Sequence, residues 1–241
     1  MELVKKRPST YKLTEKFYSL KGEGLWVGTP MCFIRTSQCP VGGTSGLCTT
    51  WDGHKFVCDT GEAYRNEGPR SIEWHSYNEV NETMTGEQVW EWAYGLNQVQ
   101  HIVVTGGEPL IYDLAPLVDA LPRPGCKIHI ETSGTEDQSK LIEDERECFW
   151  VAVSPKQGCL ESMVQVADEI KLLIYGGTSE IEVLDWIHNR KLDNQIIYLQ
   201  PIEALGMDAW HKATLRAMDI VKKHPWRFRF STQVHKYLNV R

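Results

Sequence analysis

Six short apolar runs alternate with stretches of helical periodicity, and this alternation constrains the fold more than any other feature of the chain. The runs are MCFIRT (31–36), QHIVVT (100–105), KIHIE (127–131), FWVAVS (149–154), EIKLLI (169–174) and QIIYLQ (195–200), with RFRFS (227–231) closing the series. Helical spacing is read from Thr85 through Asn97, with Val89, Trp90, Ala93 and Leu96 on one face, and again near 114–121, 138–147, 179–188 and 208–223. Strands joined by helices across short connections form parallel sheets, because a parallel pair needs a crossover. Six such strands are too few to close an eight-stranded barrel, so the expectation is α/β, a partial (β/α)6 TIM-like barrel with an extra C-terminal strand. Its 241 residues are expected to form one domain, 1–241, with an inserted polar loop at about 61–82. Residues 1–16 show little periodicity and their end is expected to be loosely held, and FYSLKGEGLWVG (17–28), with three glycines, reads as a hairpin turn.

Charge and hydropathy exclude several functions. The net charge is -6 with basic residues dispersed, which argues against a nucleic-acid partner. No apolar run approaches a bilayer span, and MELVKKRPSTYK has no signal-peptide core, so no membrane partner and a cytoplasmic location are expected. In that compartment an odd count of seven cysteines points to ligation, catalysis or burial rather than a disulfide framework.

Polar or glycine residues follow five of the six strands and would form one ring at the working end of the barrel. Cys39, Cys48 and Cys58 follow the first; Gly106, Gly107 and Glu108 the second; Glu131, Thr132 and Ser133 the third; Ser154, Pro155 and Lys156 the fourth; Gln200, Pro201, Ile202 and Glu203 the sixth. Three cysteines on one loop suit three irons of a 4Fe-4S cluster, leaving one iron for the amino and carboxylate groups of S-adenosylmethionine. The glycine pair would admit close backbone approach to that ligand. A structural zinc on Cys39, Cys48, His54 and Cys58, or unligated thiols, are the other readings of the loop. Cys32, Cys126, Cys148 and Cys159 read as packing or surface residues.

Ten segments in order extend the pattern over nearly the whole chain: FYSLKGEG, FIR, CPVG, CDT, VTGGEP, IETSGT, VSPK, EIK, LQPI and HKYLN. Together they resemble the 7-carboxy-7-deazaguanine synthase family of radical S-adenosylmethionine enzymes. Two departures stand out: Lys21 occupies the place of a usual glutamine, and Lys55 that of the usual middle cluster cysteine, so Cys48 must reach in from farther away.

The resemblance implies a lyase that converts 6-carboxy-5,6,7,8-tetrahydropterin into 7-carboxy-7-deazaguanine, with a radical SAM fold, a 4Fe-4S cluster, S-adenosylmethionine and Mg2+. It implies Cys39, Cys48 and Cys58 as iron ligands, with magnesium at Thr60. S-adenosylmethionine would lie on Gly107, Ser154, Pro155, Lys156, Gln200, Pro201, Ile202 and Glu203. The pterin substrate would meet Leu20, Lys21, Gly22, Arg35 and Thr105. A flavodoxin-type electron donor and a homodimer are the implied partners. Glu23 and Glu131 either face the substrate or brace the loop, and Gln233 and His235 either close over the pocket or lie on the surface. Another radical enzyme, such as a glycyl-radical activase, and a non-catalytic regulatory relative are the competing readings.

Overall fold

The computed structural model describes residues 7–42, 46–58, 80–96, 98–192, 194–203 and 206–238. In chain order the strands are β1 (Tyr11–Leu20), β2 (Pro30–Thr36), β3 (Leu47–Thr49), β4 (Lys55–Val57), β5 (Glu82–Met84), β6 (His101–Gly106), β7 (Lys127–Thr132), β8 (Phe149–Val153), β9 (Glu169–Ile174), β10 (Ile196–Pro201) and β11 (Phe228–Phe230). The helices are α1 (Gly86–Gly95), α2 (Ala115–Asp119), α3 (Ser139–Asp144), α4 (Glu161–Gln165), α5 (Glu180–Asn189), α6 (Met207–Lys223) and α7 (Val234–Leu238).

One nine-stranded sheet runs β11-β10-β9-β8-β7-β6-β2-β1-β5. From β2 to β11 every neighbour is parallel, and at the other edge β1 pairs antiparallel with β2 and β5. The six expected strands and the C-terminal one are all present, as a partial barrel. Two expectations need correction. Residues 11–16, read as lacking periodicity, are strand: Tyr11 and Leu13 are buried while Lys12 is exposed, a short alternation interrupted by an irregularity between Leu13 and Glu15. The polar stretch at 61–82 ends inside β5, and its residues up to 79 lie outside the described residues. The hairpin reading of 17–28 holds, with Lys21 and Thr29 closing the turn through Lys21 N–H to Thr29 O at 2.8 Å.

Successive strand residues face opposite sides of the sheet. Ile34, Val104, Ile130, Val151, Leu172 and Leu199 pack outward in the helix-covered core, all fully buried. The alternate set, including Arg35, Thr105, Glu131, Ala152, Lys171 and Gln200, borders the barrel interior and its cavity. Parallel strands buried on both faces read as near-continuous apolar runs, which is why they were visible in the sequence.

The first helix shows how locally the outer layer is specified. Thr85 and Gln88 form a reciprocal capping box, with Gln88 N–H donating to Thr85 Oγ1 at 3.2 Å and Thr85 N–H to Gln88 Oε1 at 2.9 Å. Gly86 then lets α1 press on α2: a Cβ there would lie 2.1 Å from the Pro116 carbonyl oxygen. Trp90 completes the contact, donating its indole N–H to Leu117 O at 2.8 Å. No helix among the described residues is long and apolar enough to cross a membrane. Thr85→Ala is expected to cost about 1 kcal/mol and Gly86→Ala about 1–3 kcal/mol. Thermal unfolding should register each kcal/mol as a Tm lower by about 2–4 °C.

Candidate active site

A cavity of about 240 Å³ opens at the carboxyl ends of the strands. Its floor is charged, and the charges come from distant parts of the chain. Lys21 and Glu23 come from the β1–β2 turn beneath it, Glu131 stands on β7 and Lys171 on β9, all lining the cavity. The Lys21 ammonium donates to Glu131 Oε1, and Lys171 Nζ donates to the same oxygen at 3.3 Å and to Glu23 Oε2 at 2.6 Å. The other Glu23 oxygen accepts from Gln233 Nε2 at 2.7 Å and from Gln200 Nε2 at 3.4 Å. Lys21, Lys171 and Glu23 are 4%, 3% and 8% exposed, so these charges interact with little solvent screening.

Burial acts on the floor in both directions. It would push the Glu23 carboxyl up, but Lys171, then Lys21 and His235, together hold it well below the usual carboxylate range. Burial, and then the neighbouring Lys171 ammonium, bring Lys21 down to about 7 against the opposing pull of Glu23 and Glu169. Register places these groups: Glu131 pairs with Ala152, and Ala152 with Glu169, so a methyl separates two carboxylates along one row. Glu23 and Glu131 therefore brace the floor through the two lysines.

The turn that carries Lys21 is seated by Glu169, which is fully buried and accepts the Leu25 N–H at 2.9 Å. Gly24 next to it has φ +72°, and a Cβ there would lie 2.2 Å from a Glu169 carboxylate oxygen. Only glycine satisfies both the backbone and the contact. From the other side, Val234 N–H donates to Gly22 O at 3.0 Å, and the His235 ring lies against Gly22. Gln233 and His235 thus line the cavity as its C-terminal wall.

The three cysteines line the same cavity. Their wide spacing is closed by a hairpin: β3 pairs antiparallel with β4, Cys48 opposite Phe56, and Cys58 N–H donates to Gly46 O at 2.7 Å. The fold-back puts the Cys48 and Cys58 side chains in contact, and Cys39 close enough to act on both. Lys55 is exposed on β4, away from the thiols. The Cys58 contact and then burial push the Cys48 thiol up, and burial pushes Cys39 up. Gathered, desolvated thiols of this kind become thiolates only beside a compensating cation, as metal ligands do. Among the described residues no three His, Cys, Asp or Glu side chains converge as single-ion ligands. His54 instead stacks on Tyr175 with centroids 3.9 Å apart, so the Cys3His zinc reading is not supported. A soft donor set in which each sulfur serves a different iron fits the thiols better.

The remaining expected residues are placed as follows. Leu20, Lys21, Gly22, Arg35 and Thr105 line the cavity, as do Gly107, Ser154 and Lys156. Gln200, Pro201, Ile202 and Glu203 also border it. Pro155, between Ser154 and Lys156, is buried and does not border it. Thr60 lies outside the described residues. Arg35 is ion-paired with Glu15 through Nε at 2.8 Å and still borders the cavity, beside Thr105 in register.

The glycine pair lines the cavity and also packs tightly within the chain itself. A Cβ on Gly106 would lie 2.3 Å from Thr36 O, and one on Gly107 1.9 Å from Gln38 O. The close approach is therefore to the chain leaving β2 for Cys39. Glu108, wholly buried, was not foreseen as a brace. It accepts from Thr132 Oγ1 at 2.6 Å, from the Ser133 N–H at 2.9 Å and from the Ser133 hydroxyl, tying the loops after β6 and β7 together. Lys171, Glu169 and Lys236 were also missed. In EIKLLI the charges of Glu169 and Lys171 sit within an apolar run, a pattern that could have found them.

No family model matches the chain. The chain is 32% identical to the 7-carboxy-7-deazaguanine synthase of Escherichia coli strain K12 over 250 aligned positions, covering 95% of this chain and 99% of the relative. It is 30% identical to the enzymes of that name from Burkholderia multivorans, covering 96% of this chain and 99% of the relative, and from Bacteroides thetaiotaomicron, covering 95% and 98%. The crystal structure of QueE from Escherichia coli superposes with a TM-score of 0.64 at 30% identity, covering 94% of this chain and 95% of that one. With relatives matched end to end in sequence and in fold, this chain belongs to the 7-carboxy-7-deazaguanine synthase family.

Proposed function

We propose that this chain is a 7-carboxy-7-deazaguanine synthase, a lyase that contracts the ring of 6-carboxy-5,6,7,8-tetrahydropterin with loss of ammonia in 7-deazapurine biosynthesis. The observation that carries this reading is the opening of the cysteine hairpin, the strand-end shelf and the charged floor onto one cavity. Cys39, Cys48 and Cys58 would hold a 4Fe-4S cluster. Gly107, Ser154, Lys156 and the Gln200, Pro201, Ile202 and Glu203 stretch would hold S-adenosylmethionine. When bound, this pair supplies the radical that takes a hydrogen from C6 of the substrate and later returns it. Magnesium at Thr60, a flavodoxin-type electron donor and a homodimer complete the proposal.

The chain's own residues position the substrate and exclude water. Arg35, fixed by Glu15, offers a cation where the substrate carboxylate would meet it, next to the Thr105 hydroxyl. Leu20, Lys21 and Gly22 border the substrate from the β1–β2 turn. Lys156 Nζ donates to the Ser154 carbonyl at 2.9 Å and its hydroxyl at 2.8 Å, which stiffens the shelf. Trp26 seals the opposite end of the barrel against His101, His129 and Trp150, with centroids 5.2, 5.1 and 5.5 Å away.

Anaerobic reconstitution should load about four irons per chain in the wild type, lose them in Cys48→Ala and keep them in Lys55→Ala, measured by iron and sulfide content. Loss in Lys55→Ala with retention in Cys48→Ala would reverse the ligand assignment. Because the Gly107 Cβ would meet Gln38 O at 1.9 Å, Gly107→Ala should displace Cys39 and at least halve iron loading, by about twofold or more.

A further inference from the structure

The floor of the cavity is built as more than a binding surface. Lys21 and Lys171 share one oxygen of Glu131, while Glu23 accepts from Lys171 with its other oxygen already taken by Gln233. Lys21 is buried, borders the cavity and, among the described residues, ion-pairs with Glu131, while Lys171 is engaged by both carboxylates. Of the two cations, Lys21 is the one whose proton can leave while Lys171 still joins Glu131 to Glu23. Loss of ammonia from a ring-contracted intermediate needs such a group: a donor for the departing amine and an acceptor for a ring C–H proton.

We propose that the Lys21 ammonium protonates the departing amine of the ring-contracted intermediate, and that the neutral Lys21 amine then takes the ring C–H proton. This rests on the synthase reading above. The carbon–nitrogen bond breaks with its pair on nitrogen, which leaves as ammonia carrying the Lys21 proton. The C–H pair closes the ring double bond, and Lys21 regains its proton. No electron enters or leaves, and no other reactant is needed.

The groups facing Lys21 set its strength as an acid. Burial first and Lys171 next lower it to about 7, while Glu23 and Glu169 oppose them. Glu131 accepts its proton-bearing end, His129 lies near enough on β7 to feel its charge, and His235 packs on the adjoining Gly22. The donor form is therefore present below about pH 7 and is lost as pH rises through that value.

The test compares wild type, Lys21→Arg and Lys21→Gln as reconstituted enzymes, following product, substrate binding and any amine-bearing isomer of the substrate. Arginine keeps the charge but does not give up its proton. Wild-type kcat should fall about tenfold per unit above about pH 7. At saturating 6-carboxytetrahydropterin both variants should accumulate the isomer, form product about 100-fold more slowly and lack the pH limb. Product formation within about threefold of wild type in either folded variant, or a loss confined to substrate affinity, would overturn the assignment. If neither variant folds, a wild-type kcat that is flat across pH 6–8 overturns it, and a fall above about pH 7 with accumulated isomer supports it. A wild type that makes no 7-carboxy-7-deazaguanine overturns the reaction itself and this step with it.

Discussion

The four-charge floor is the interaction on which the rest of the structure depends. It joins the β1–β2 turn to β7 and β9, and through Gln200 and Gln233 it reaches β10 and the segment leading into α7. Two carboxylates and two ammoniums desolvated together are tolerable only because each compensates another. Removing one partner from such a set costs about 3–5 kcal/mol, since a buried charge is left behind. The β1–β2 turn and the segment leading into α7 are thus held by the same charges that face the cavity. Stability and site geometry are consequently hard to vary separately here.

The cysteine loop shows the opposite economy, in which a local element replaces a spacing. Cys48 lies far from both neighbours in sequence, yet the β3–β4 pairing returns it to Cys58, and the bridge between Thr50 and Lys156 docks the hairpin on the β8 shelf. Trp51 adds an indole N–H to Leu173 O at 3.1 Å on β9. The longer loop is therefore anchored at its tip as well as its ends. Ligand position is set by hairpin register instead of by residue count.

The parallel strands were legible because they are buried on both faces, and α1 and α6 because their apolar faces repeat at helical spacing. What stayed hidden had weak or mixed local patterns. β1 carries Lys12, Glu15 and Lys16 along a partly exposed stretch, and β3 and β4 are three residues each, too short for an alternation to show. The cavity's cysteines, glycines and shelf were legible as residues following strands. Its floor was not, because Glu169 and Lys171 acquire their meaning from Ala152 and Glu131 on neighbouring strands, and from a turn more than a hundred residues away in sequence. Arg35 does two things at once: it borders the cavity and pairs with Glu15, because the strand register sets Glu15 opposite it on β1.

Glu169 connects the two ends of the barrel. Its buried carboxylate seats Leu25, and the chain continues directly into Trp26, which makes tilted and edge-on ring contacts with His101, His129 and Trp150 at the amino ends of β6, β7 and β8. One turn therefore does two things: its first residues present Lys21 and Glu23 to the cavity, and its middle plugs the barrel below. His129, held neutral chiefly by burial and then by His101, adds no charge beneath Lys21. A neutral, aromatic plug keeps water from the underside of the charged floor, so the charges above interact at low local dielectric. That is the condition under which a neighbouring ammonium can shift a lysine into the range where it exchanges protons near neutral pH.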